Sequence, residues 1–133
     1  MSYKIDEIEG IGPVFAEKLS VAGIETTDDL LEKCAAAKGR DTVSTSTGLS
    51  AVQLLKWSNL ADLMRIKGVG PQYSELLEAA GVDTVKELRT RNAENLAQKM
   101  EEINSSKHLA KAAPALASVR DWIEQAQKMD PKI

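Results

Sequence analysis

One stretch of this chain occurs twice. Residues 8–31 read IEGIGPVFAEKLSVAGIETTDDLL, and residues 66–89 read IKGVGPQYSELLEAAGVDTVKELR. At a constant offset of 58, with no gap, 10 of the 24 positions are identical, including Gly10/Gly68, Gly12/Gly70, Pro13/Pro71, Gly23/Gly81 and Thr26/Thr84. Ile11/Val69 and Phe15/Tyr73 differ but keep their shape. A fainter echo follows at an offset of 65, Trp57-x-x-Leu60-Ala61-x-x-Met64 against Trp122-x-x-Gln125-Ala126-x-x-Met129, so the copies differ by a middle insertion. A recurring segment of this length reads as one supersecondary unit used twice. The expected division is a first unit over 1–66 and a second over 67–133, with a helix over 50–66 shared between them.

The local chemistry of both copies is helical. Pro13 and Pro71 follow Gly-x-Gly and suit the first helical position, where a missing N–H removes no bond. Gly23 and Gly81 suit the residue just past a helix end. Thr26-x-x-Asp29, Thr84-x-x-Glu87 and Ser50-x-x-Gln53 are helix-starting signals, the last with Leu49 and Leu54 spaced as a hydrophobic staple. Further helices are expected over Asn92–Asn104 and from Pro114 onward, where Leu116, Val119, Ile123 and Ala126 share a face. Leu54, Leu55, Trp57, Leu60, Ala61, Leu63 and Met64 cover most of the circumference of the shared helix, as in a helix buried on several sides. No segment alternates with period two. The expected fold class is all-α, with tandem duplicated units around one core.

Composition narrows the functional classes. The 133 residues are 43% hydrophobic but only 4% aromatic, enough for an aliphatic core. Net charge is −3, with 7 Lys/Arg against 10 Asp/Glu in residues 1–66 and 10 against 10 in residues 67–133. Such a chain cannot hold a polyanion by bulk charge, so any nucleic-acid contact has to be local. No apolar run approaches the roughly 20 residues that span a bilayer. The first residues lack the apolar core of a signal peptide, and the single cysteine, Cys34, suits a reducing compartment, so a cytoplasmic location is expected.

Gly-hydrophobic-Gly-Pro between helices, closed by Ala-Gly-hydrophobic, resembles the helix-hairpin-helix motif of DNA glycosylases, flap nucleases and recombinase N-terminal domains. Nearly the whole chain resembles an uncharacterised bacterial family of tandem helix-hairpin-helix proteins. The resemblance implies that hairpin glycines let a phosphate approach the backbone, where N–H groups at a helix start hold it. Carried onto this chain, that implies a DNA contact at Gly10, Ile11 and Gly12 and at Gly68, Val69 and Gly70. Arg65 and Lys67 flank the second hairpin favourably, whereas Glu7 and Glu9 flank the first. Val14 and Gln72 stand where such hairpins often carry lysine.

The bland readings compete residue by residue. The hairpins serve equally well as plain interhelical turns, Arg65 and Lys67 as a solvated helix end, and Trp57 and Trp122 as core rather than base-stacking platforms. Cys34 reads as a small buried side chain, and His108, the one histidine, has no partner at ligand spacing. Asp6, Glu7 and Glu9 read as a solvated face rather than a metal-dependent nuclease site. No enzyme, metal or cofactor is expected. Two functions remain: a sequence-independent DNA-binding module, or a protein-interaction module whose hairpins are only turns.

Overall fold

A computed structural model describes residues 2–133. The chain is all-α: a 3₁₀ turn (Ile5–Glu7), then α1 (Pro13–Val21), α2 (Thr27–Cys34), α3 (Ala37–Thr47), α4 (Ala51–Leu63), α5 (Pro71–Ala79), α6 (Val85–Leu88), α7 (Ala93–Lys107) and α8 (Leu116–Lys128). Among the described residues there is no strand, only an isolated antiparallel bridge between Lys4 and Thr26. None of these helices is long and apolar enough to cross a membrane.

The sequence signals sit at the helix ends for local reasons. α1 and α5 each open on proline behind an extended glycine cap, Gly12 or Gly70. They close at Gly23 and Gly81, with φ of 84° and 92°. Thr26 accepts from the Asp29 amide at 3.1 Å, and the Asp29 carboxylate accepts from the amides of Thr26 and Glu25 at 3.2 and 3.1 Å, a reciprocal capping box. At α6 only half of that box forms. Thr84 accepts from the Glu87 amide at 3.2 Å, but the Glu87 carboxylate turns to Arg91 at 2.8 Å. The Ser50 hydroxyl accepts from the Gln53 amide at 3.4 Å at the start of α4.

Three boundaries differ from expectation. The middle of the first copy, where no helix was expected, carries one, α3, while the extra residues that raise the offset from 58 to 65 lie in the second copy. In α3, Gly39 crosses α2 so tightly that a β-carbon on it would lie 2.0 Å from the Lys33 carbonyl oxygen. The helix expected over 50–66 stops at Leu63, because Arg65 and Ile66 donate to Asp62 and Leu63 in tight turns at 3.2 and 3.1 Å. The helix expected over Asn92–Asn104 runs on to Lys107 and ends at His108, whose φ is 52°.

The buried side chains form two clusters rather than the single core expected. Leu54, Trp57, Leu60, Ala61 and Met64 of α4 and its C-cap belong to the N-terminal cluster. Leu63, with Ile66 just beyond the helix, belongs to the C-terminal cluster with Leu76, Leu77, Val85, Val119 and Trp122. A helix apolar over most of its circumference can bury different faces in different clusters, which is how α4 joins the halves. Asp62, also on α4, reaches across and accepts from the Val85 amide at the start of α6 at 2.8 Å.

Candidate nucleic-acid interface

The two turns that precede α1 and α5 have the same backbone plan. Ile11 donates to the Ile8 carbonyl at 3.1 Å, and Val69 to the Ile66 carbonyl at 3.0 Å. Gly10 and Gly68 stand in the left-handed region with φ of 92° and 100°, where a β-carbon would be strained. Ile11 and Val69 are buried, and their N–H groups are used within the turns, so neither offers a donor to a ligand. Carbonyls of Gly12 and Gly70 accept the first helical bonds, from Ala16 and Ser74, each at 2.9 Å.

The open donors lie one step further on. Among the described residues, no backbone acceptor meets the N–H groups of Gly12, Val14 and Phe15, or those of Gly70, Gln72 and Tyr73. These are the orphan amides of a helix start, carrying its positive end. Gly12 and Gly70 are among the expected contacts. Val14, Phe15, Gln72 and Tyr73 were not expected as contacts, because their side chains signal no phosphate binding; only their position after proline does.

Each turn rests on a tryptophan. A β-carbon on Gly10 would lie 3.5 Å from Trp57 Nε1, and one on Gly68 would lie 2.9 Å from Trp122 Nε1. Phe15 tilts against Trp57 with ring centroids 5.4 Å apart at 51°, and Tyr73 against Trp122 at 5.3 Å and 53°. Both indoles are buried, which leaves neither available as a base-stacking platform.

Arg65 does not reach the hairpin surface as expected. Its guanidinium lies 2.7 Å from the carboxylate of Asp62 and donates to the Asp130 carbonyl at 2.8 Å, with the side chain only 11% exposed. Burial of Asp62 explains the diversion, since a carboxylate removed from water requires a partner. The other four arginines are also engaged: Arg40 on the Cys34 and Ala35 carbonyls, Arg89 on those of Gln127 and Met129, Arg91 on Gly81 and Glu87, and Arg120 on Glu94. Lys67 is exposed at the second turn. Its backbone is clamped by the Gln125 amide, which accepts from its N–H and donates to its carbonyl, both at 3.0 Å.

Glu7 folds back, its carboxylate accepting from the Lys4 amide at 3.0 Å. Glu9 instead lines a hollow of about 270 Å³ with Pro71, Gln72, Glu75, His108 and Leu109, so it borders the start of α5. Burial, and then the carboxylates of Glu78 and Glu9, push the Glu75 carboxyl above the usual glutamate range against the pull of Lys56. Cys34 is buried, and burial pushes its thiol up despite the charges of Arg40 and Lys33. Among the described residues, no group of three or more His, Cys, Asp or Glu side chains could hold a metal ion.

No curated protein and no solved structure matches the chain significantly. A family model does match, over residues 9–129, and so takes in both glycine turns, both tryptophans and all eight helices. This chain belongs to the family described as a domain of unknown function, DUF4332.

Proposed function

We propose that this chain is a non-enzymatic module of two helix-hairpin-helix copies, 1–66 and 67–133, that contacts DNA phosphates weakly and without reading bases. Support for the duplication comes from the matched φ of Gly10 and Gly68 and the matched seating of Trp57 and Trp122 beneath them. The observation that carries the DNA reading is the pair of helix starts, each with unclaimed amides at a glycine cap and a first-turn proline. A phosphate fits such a start without any side chain. The contact set is then Gly10, Gly12, Val14 and Phe15 at one hairpin and Lys67, Gly68, Gly70, Gln72 and Tyr73 at the other. Arg65 supports that surface from below.

A fluorescence-anisotropy titration of duplex and branched DNA at roughly 50 and 200 mM salt tests this, with an expected dissociation constant of about 10⁻⁴–10⁻⁶ M that weakens with salt. Lys67→Glu abolishes binding while leaving the melting temperature unchanged. No binding at the lower salt with high-micromolar protein overturns the DNA reading. The protein-interaction reading then takes its place; it is favoured by the pairing of all five arginines with groups of the chain itself, which leaves phosphate neutralisation to lysines.

A further inference from the structure

The duplication leaves one seat filled in the second half and open in the first. At the repeat offset of 58, Ala16, Glu17 and Ser20 of α1 correspond to Ser74, Glu75 and Glu78 of α5. α4 packs against α5, and its Lys56 ammonium lies 3.7 Å from the Glu78 carboxylate. Ser74 is buried there, and Glu75 and Glu78 are half-buried. The first half is entered by an extended segment instead of a helix: Tyr3 donates to the Thr27 hydroxyl at 3.1 Å and accepts from the Thr27 amide at 2.9 Å. Its Ile5 takes the repeat position of Leu63, the last residue of α4. Ala16 is then only half-buried, and Glu17 and Ser20 are exposed. With Ile5, Asp6 and Glu25 they line an open hollow of about 490 Å³.

The chemistry of this hollow selects its occupant. Ile5 and Ala16 give it an apolar lining, and of its charged residues Asp6, Glu17 and Glu25 are acidic while only Lys4 is basic. Among the described residues none of those three carboxylates is in an ion pair, and the Ser20 hydroxyl holds Glu25 at the rim by donating to it at 3.1 Å. We infer that the hollow is a docking groove for one α-helix of a protein partner, a helix with an apolar stripe and a lysine or arginine that meets Glu17 and Glu25. Such a helix lies along α1 as α4 lies along α5, and its cation takes the part of Lys56. Apolar burial gives a helix in a groove its affinity, and the charge pair sets its register. A second copy of this chain is a poor occupant, because α8, the equivalent of α4 at the offset of 65, carries Asp121 where α4 carries Lys56. This surface does not depend on the DNA reading.

The probe is a fluorescein-labelled peptide of residues 51–61, the part of α4 that precedes the positions already taken in the first half by Lys4, Ile5 and Asp6. It is stapled as a helix, since so short a helix is marginal alone. Titrated with the full chain, it gives a saturable rise in anisotropy. Glu17→Lys in the chain weakens binding about three- to tenfold, as does Lys56→Glu in the peptide, and the two changes together restore it. Glu17 is exposed, so Glu17→Lys leaves the melting temperature unchanged. Glu101→Lys, exposed on α7, makes the same change in net charge and leaves binding unchanged. No binding with high-micromolar chain overturns the groove, as does an equal loss in Glu101→Lys or a failure of the charge swap to restore affinity. Binding lost in Glu78→Lys but not in Glu17→Lys means that the peptide displaces the chain's own α4, and it too overturns the groove. Self-association of the chain that Glu17→Lys abolishes in sedimentation gives the groove to a second copy and overturns the separate partner.

Discussion

Trp122 leaves no room for a side chain on Gly68: its indole nitrogen would sit 2.9 Å from a β-carbon there. The neighbour is a buried ring and not the tip of a flexible chain, and the φ of 100° already disfavours any L residue. Gly68→Ala is expected to cost about 2–4 kcal/mol, from backbone strain and displacement of the indole together. Gly10→Ala, with 3.5 Å to Trp57, is expected to cost only about 1–2 kcal/mol, the strain alone. Urea denaturation of both variants checks the order, and equal losses would remove the tighter seating at the second turn.

The two tryptophans anchor different clusters. Trp57→Ala and Trp122→Ala should each lose about 3–5 kcal/mol, the usual cost of truncating a packed indole. An unchanged melting temperature for either variant contradicts its placement in the core.

Arg65 and Lys67 are expected to separate by phenotype. Arg65→Met leaves the Asp62 carboxylate buried with the Val85 amide but without its ion pair, at a cost of about 3–5 kcal/mol. Lys67→Ala, at an exposed position, should shift stability by less than about 0.5 kcal/mol and act on ligand binding alone. Thermal melts of the two variants decide this; a stable Arg65→Met would return that arginine to the surface.

Glu75 makes stability depend on pH. Its folded carboxyl titrates above the usual glutamate range, so between the two values the folded state holds more protons than the unfolded one. Stability therefore falls as pH rises through that window, and the penalty is complete above the raised value. Glu75→Gln should be more stable than the parent at neutral pH and equal to it below the glutamate range. Asp29 runs the other way. Its capping bonds, first that from the Glu25 amide, lower its folded value, so its stabilisation is present above the usual aspartate range and is lost as pH falls through the lowered one. Denaturation curves across acid pH for Glu75→Gln and Asp29→Asn check both signs.

Cys34 should not react with a bulky thiol reagent in the native state and should react fully in denaturant, because its thiol is buried and its ionisation is suppressed. Native labelling at the unfolded rate would contradict that burial.

Helix starts and stops were legible in the sequence because they are local: Pro13 and Pro71, Thr26 with Asp29, and Gly23 and Gly81 act on the backbone within a turn of themselves. Burial of Trp57 and Trp122 was legible as well, since both lie among apolar residues at helical spacing. The partner of each charge was not. Arg65 beside Lys67 reads as a basic patch until the fold buries Asp62 on the same α4 end and draws the guanidinium inward. Glu9 reads as part of the first turn until packing carries it to Pro71 and Gln72. Two clusters in place of one core likewise depend on how the faces of α4 are shared between the halves. Periodicity shows that a face is apolar, but only the tertiary structure decides what it meets, because contacts between residues some 60 positions apart follow from packing and not from local preference.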